Sequence, residues 1–139
     1  MRFSVETRLP SADELIELYR AVGWSAYTDV PQRLVDAVAA SHLVLTARDD
    51  DGSLIGLVRT VSDGHTIVYI QDLLVAPSCQ RQGVGGSLLD EVVRRSSHIR
   101  QIVLLTDAEA GQRAFYESRG FSETHDVRPN ELRSFVRMS

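Results

Sequence analysis

Between Ile67 and Leu89 the chain reads IVYIQDLLVAPSCQRQGVGGSLL, and no other stretch limits its possible folds as much. The stretch opens as an apolar, β-branched run, the pattern of a buried strand. Pro77 has no N–H to give to a ladder, so the strand ends there. A polar loop, Ser78 to Gln82, follows. Gly83 and Gly85 then lead into Val84, Leu88, Leu89, Val92 and Val93, whose spacing puts one apolar face on a helix. A strand, a glycine turn and a helix in that order leave backbone N–H groups free at a helix start, where the macrodipole favours negative charge. Gly83 and Gly85 carry no Cβ, so a phosphate can approach the backbone closely.

Three glycine loops bind phosphates in this setting. The dinucleotide pattern GxGxxG requires a third glycine where Leu88 stands. The P-loop requires Gly-Lys-Ser/Thr, and the chain has no lysine. The third is Gln/Arg-x-x-Gly-x-Gly/Ala after a strand ending in Val-x-Pro. It is matched by Val75-Ala76-Pro77 and Gln80-Arg81-Gln82-Gly83-Val84-Gly85. These residues resemble the acetyl-CoA motif of the GNAT family of N-acetyltransferases. A second block, Ala114-Phe115-Tyr116-Glu117-Ser118-Arg119-Gly120-Phe121, is similar to that family's Tyr-x-x-x-Gly-Phe segment. One departure stands out. Many members carry asparagine six residues before the position of Phe115, where it contacts the pantetheine arm, and this chain has Glu109.

The length of 139 residues suits one domain, 1–139, with one core. Apolar content of 43% and charged content of 24% are those of an ordinary globular chain. No apolar run reaches the ~18 residues of a membrane span, and MRFSVETRLP lacks the apolar core of a signal peptide. A cytoplasmic location without membrane partners is therefore expected. The net charge of -4 argues against a nucleic-acid partner. Cys79, the sole cysteine, has no disulfide partner, and the four histidines show no metal-ligand spacing. No metal is expected.

In chain order, Arg2–Arg8 alternates as a first strand. Ser11 with Glu14 forms a capping box before a helix that faces inward through Leu15, Ile16, Leu18, Tyr19 and Val22 and stops at Gly23. Residues 24–30 read as a loop. Pro31 suits the first turn of a second helix, with Leu34, Val35 and Val38 inward. Strands at 42–48, 53–62 and 65–76 are joined by short turns and so are antiparallel. After the helix from Val84 to about Ser97, the run 101–106 reads as a buried strand parallel to the central one through a right-handed crossover. A helix over 109–118 and strands at 121–127 and 132–138 complete the order. This is an α/β chain with a mixed sheet of about seven strands and four helices. The resemblance implies the GNAT fold, splayed between strands 4 and 5.

The resemblance also implies the site. The backbone of Leu73, Leu74 and Val75 would pair with the pantetheine amides and polarise the thioester carbonyl. Gln80, Arg81, Gln82, Gly83, Val84, Gly85, Gly86 and Ser87 would surround the diphosphate. Arg81 adds a charge contact or simply faces solvent. Tyr116 would protonate the departing thiolate, since a phenol is protonated at neutral pH, or it is aromatic core like Phe115. Asp72 is a carboxylate on a mostly apolar strand. It takes the amine's proton or bonds a neighbouring loop as a structural group. Tyr69, Asp107 or water are alternatives as base. Trp24, Tyr27 and Asp29 lie where the family places a wall of its acceptor cleft, and Arg59 and Asp63 frame the hairpin into the central strand. Trp24 can equally cap the first helix and enter the core. Arg59–Asp63, followed by Ile70-x-Asp72-Leu73-x-Val75, is similar to a subgroup that includes plant plastid serotonin N-acetyltransferases.

The expected function is acetyl transfer from acetyl-CoA to a primary amine of a small molecule, by direct attack in a ternary complex. Acetylation of protein lysines or N-termini, or acyl-CoA sensing without turnover, are the alternatives. A homodimer is the expected state.

Overall fold

The computed structural model describes residues 1–139. The element order is β1 (Phe3–Glu6), α1 (Ala12–Ala21), α2 (Ser25–Thr28), α3 (Pro31–Ala39), β2 (Leu43–Asp49), β3 (Leu54–Ser62), β4 (Ile67–Val75), α4 (Val84–Arg95), β5 (Gln101–Leu104) and α5 (Ala110–Glu117). Short 3-10 turns occupy Pro77–Cys79 and Thr124–Asp126. Two compact units divide the chain, residues 1–105 and 106–139.

The first unit is built on one mixed sheet in the order β1-β2-β3-β4-β5. The first four strands pair antiparallel, and β5 pairs parallel with β4. Local signals set the helices beside it. The Ser11 hydroxyl accepts from the Glu14 N–H at 3.2 Å, and the Glu14 carboxylate accepts from the Ser11 N–H at 2.9 Å. Two of the four orphan donors of α1 are thereby satisfied. Pro31 opens α3. Leu15, Leu18 and Tyr19 of α1 and Leu34 and Val38 of α3 pack on Val44, Leu57 and Leu74 of the sheet. The opposite face carries α4, through buried Val84, Leu88, Leu89 and Val92. Gly56 of β3 permits this second contact. A Cβ there would stand 2.9 Å from Val84 Cγ1 and 3.1 Å from Leu88 Cδ1.

Three expectations change. Residues 24–30 include a single helical turn, α2, where a loop was expected. Strand β5 is half-buried at all four positions rather than buried, because it ends the sheet and has a neighbour on one side only. The sheet has five strands, not about seven.

The missing two belong to the second unit. It contains α5, capped at its end by the Gly120 N–H to Glu117 C=O and the Phe121 N–H to Tyr116 C=O. Beyond it, 121–127 holds only the 3-10 turn and 132–138 is irregular. Leu132 N–H donates to Thr124 C=O at 2.9 Å, and no ladder follows. Apolar residues in the tail have no face to cover: Phe135 is 89% exposed and Met138 83%. An extended segment becomes a strand only when a neighbour accepts its backbone groups.

Candidate active site

The central feature is the free edge of β4. Pairing with β5 runs from Ile67↔Gln101 to Ile70↔Leu104 and stops, while β4 continues to Val75. A β-bulge marks the point of separation. Arg59 pairs with Asp72 and Thr60 with Ile70, so Gln71 is the extra residue. The bulge reverses the alternation of the strand. Ile70 and Asp72, two apart, lie on opposite faces, and Asp72 joins Arg59 on the face covered by α1. Past the bulge, Ala76 N–H donates to Ile55 C=O of β3 at 2.8 Å. Successive residues of a strand direct their N–H groups to opposite edges. Leu74 therefore faces β3, and Leu73 and Val75 face the open side. The Leu74 side chain is buried in the core.

The chain then turns through Pro77–Cys79 into the loop before α4. The Gln80 Nε2 donates back to Val75 C=O at 3.1 Å, tying this loop to the strand end. Arg81 has φ 62° and Gly83, the N-cap of α4, φ 88°. A left-handed non-glycine residue costs about 1–3 kcal/mol and gathers at ligand sites. Gly83 offers no side chain to cap the helix. The Ser87 N–H donates to Gly83 C=O at 3.0 Å, whereas the N–H groups of Arg81, Gln82, Gly83, Val84, Gly85 and Gly86 have no acceptor in the protein. That run, at the positive end of a helix of 12 residues, can hold a diphosphate. Arg81 is exposed and Ser87 half-buried.

Asp72 is 3% exposed and accepts three hydrogen bonds: Tyr19 Oη at 2.9 Å, Tyr27 Oη at 2.8 Å and Arg59 Nε at 2.5 Å. Burial works against the Arg59 charge, but the Asp72 hydrogen bond and charge outweigh it and hold the guanidinium above its ordinary pKa. Burial, then the Asp72 charge and hydrogen bond, push the Tyr19 phenol well up. The Tyr27 hydroxyl donates to Asp72 and accepts from Arg59 Nη2 at 3.4 Å and Gln71 Nε2 at 3.2 Å. A phenol has one proton and two lone pairs, so its capacity is used.

The sequence brings together Asp72, Arg59 and Tyr27 as site residues, and the structure joins them in one cluster. Trp24 packs edge-on to Tyr19 at 5.8 Å and lies against the core. Asp29 is an exposed C-cap of α2. Asp63 is exposed and folded into its own turn, accepting from the N–H groups of His65 and Thr66 and from the Thr66 hydroxyl. Those bonds lower its pKa well below the usual carboxylate range. Three residues that matter to the site escaped the sequence reading. Tyr19 passes as helix core, though a buried tyrosine hydroxyl needs a partner. Gln71 and Gly56 carry weak signals: a polar residue beside a strand aspartate and a glycine inside a strand.

In the second unit, Tyr116 on α5 lies in an aromatic row, 5.0 Å from the Phe115 ring and 5.9 Å from Phe121. Burial, then the Asp107 charge, push its phenol up, so it holds its proton at neutral pH. Glu109, in place of the family asparagine, is the N-cap of α5 and makes no side-chain cap.

The family model described as an acetyltransferase (GNAT) domain matches residues 17–139. A GNAT-family acetyltransferase structure from Streptococcus pneumoniae is 30% identical, with TM-score 0.80, covering 99% of this chain and 100% of that one. A Glycine max protein named histone acetyltransferase TAP1 is 32% identical over 90 residues, 60% of this chain and 38% of its own length. An Arabidopsis thaliana protein named GCN5-related N-acetyltransferase 3, chloroplastic, is 35% identical over 75 residues, 52% of this chain and 31% of its own length. The chain thus spans about a third of the length of the curated relatives it matches. With the five-stranded mixed sheet, the parted strands and the glycine turn before α4, the match over residues 17–139 shows that this chain belongs to the GNAT family of acetyltransferases.

Proposed function

We propose that this chain transfers acetyl from acetyl-CoA to the primary amine of a small molecule in the cytoplasm, by direct attack within a ternary complex. The observation that carries the reading is the run of unpaired amides from Arg81 to Gly86, continuous in sequence with the open edge of β4. Their donor chemistry fits a diphosphate, and the Arg81 guanidinium adds a charge. Bound acetyl-CoA would supply the activated acetyl thioester. The N–H groups of Leu73 and Val75 are the backbone donors left for pantetheine and for the thioester oxygen, a contribution of roughly 3–4 kcal/mol when such a donor is aligned. Tyr116, matched to the family's Tyr-x-x-x-Gly-Phe block, would give the leaving sulfur its proton. Asp72 already holds three donors, which supports reading it as an anchor and leaves the amine's proton to water.

Acceptor screening with thiol-release detection tests the reading. Turnover of small primary amines supports it, and turnover of peptides alone favours protein acetylation. The soybean relative's name is the observation behind that second reading. Acetyl-CoA binding without turnover of either class leaves a sensor. For the cradle itself, Gly83→Glu is expected to abolish acetyl-CoA binding by calorimetry in a protein that still folds. Unchanged affinity would place the cofactor elsewhere.

A further inference from the structure

The bulge residue Gln71 is exposed, yet its amide has a fixed orientation. The Tyr27 proton is committed to Asp72, a carboxylate that can only accept. Tyr27 can therefore only accept from Gln71, and the NH2 end of the amide must face it, at 3.2 Å. The other end, Oε1, is turned away and has no partner in the protein. Each bond in the series has one possible direction: Arg59 and Tyr27 both donate to Asp72, and Gln71 donates to Tyr27, which leaves one exposed acceptor oxygen. That oxygen stands at the residue where β4 leaves β5.

We propose that Gln71 positions the acceptor amine, its carbonyl oxygen taking an N–H of a primary amine at the opening between β4 and β5. This rests on the small-molecule acetyl-transfer reading above. An amide is suited to the task. The amine must reach the thioester uncharged, with its lone pair free. A neutral carbonyl oxygen directs an N–H without the strong preference for ammonium that a carboxylate would impose. It also explains why the Tyr27 hydroxyl, fully occupied by its three partners, is not itself the receiving group.

The test uses the whole protein, acetyl-CoA and 2-phenylethylamine, spermidine and glucosamine as probes, taking forward the amine with the highest kcat/KM. Gln71→Leu is expected to raise the KM for that amine about tenfold, the loss of one well-aligned hydrogen bond, with acetyl-CoA affinity within about twofold. Gln71→Glu keeps an acceptor oxygen but adds charge. It also gives up the N–H that Gln71 donates to Tyr27, so its readout is the added charge: the rise of kcat is expected to move to more alkaline pH. Should Gln71→Leu not fold, the Gln71→Glu pH profile decides. An unchanged amine KM in the leucine variant, or an unshifted profile in the glutamate variant, overturns the assignment and leaves the acetyl-transfer reading standing. If no probe amine is acetylated while acetyl-CoA binds, the small-molecule reading falls and takes this assignment with it.

Discussion

Arg59 and Asp72 are cross-strand partners beside the β4 bulge, and their side chains form an ion pair sealed from water on both sides. A charge so placed is stable only with its partner. Arg59→Met is expected to destabilise the fold by about 3–5 kcal/mol, because Asp72 would remain buried with only the two tyrosine donors. The double variant Arg59→Met/Asp72→Leu is expected to recover part of that loss. Urea unfolding of both proteins checks the pair.

Gly56 sets how closely α4 approaches the sheet. Gly56→Ala puts a methyl 2.9 Å from Val84 Cγ1, in the first turn of α4. The expected cost is about 1–3 kcal/mol of overpacking, with weaker acetyl-CoA binding because the helix start must shift. Thermal unfolding and calorimetry on the same protein read the two effects.

Acid should loosen the junction of α1 with β2. The Arg48 hydrogen bond, then the Ser11 N–H, hold Glu14 down from 4.5 to about 2. A depressed carboxylate stabilises the fold fully above its unfolded pKa of 4.5 and loses that contribution as pH falls toward about 2. Glu14 is partly exposed, and screening limits the amount to about 1 kcal/mol. The stability gap between the natural protein and Glu14→Gln is expected to shrink over that window, measured by denaturant titration at several pH values.

Tyr116→Phe removes the proposed acid and keeps the ring. The phenol is pushed up and so stays protonated at neutral pH. A fall in kcat of about 10²-fold is expected, with acetyl-CoA affinity nearly unchanged. Pre-steady-state thiol release measures the step; an unaltered rate removes Tyr116 from it.

What the sequence made legible was local. Pro77, Gly83 and the spacing of Val84, Leu88 and Leu89 lie within one short stretch, and so do Ser11 and Glu14. Each announces a turn, a cap or a face without reference to the rest of the chain. The anchor cluster is different. Tyr19 and Asp72 are 53 positions apart and Tyr27 and Asp72 are 45, so only the packed sheet brings them together. The bulge was hidden for another reason. Val68, Ile70, Asp72 and Leu74 are all buried, as simple alternation would have it, but both faces of the sheet are covered. Burial therefore continues unbroken while the strand turns over at Gln71. The tail failed for want of a neighbour: its apolar residues looked like strands, and no ladder received them.

The rim of β4 that β5 leaves unpaired, from Leu73 to Val75, also bears on handling and storage. Main-chain groups left vacant along a strand are a template for any passing extended segment, and most folds blunt such rims with charge or proline. Here only hydrophobic residues occupy the strip, and Pro77 comes after it. A ligand that docks there would act as a guard against self-association as well as a reactant. Preparations supplied with coenzyme A should therefore scatter less light on concentration than bare ones.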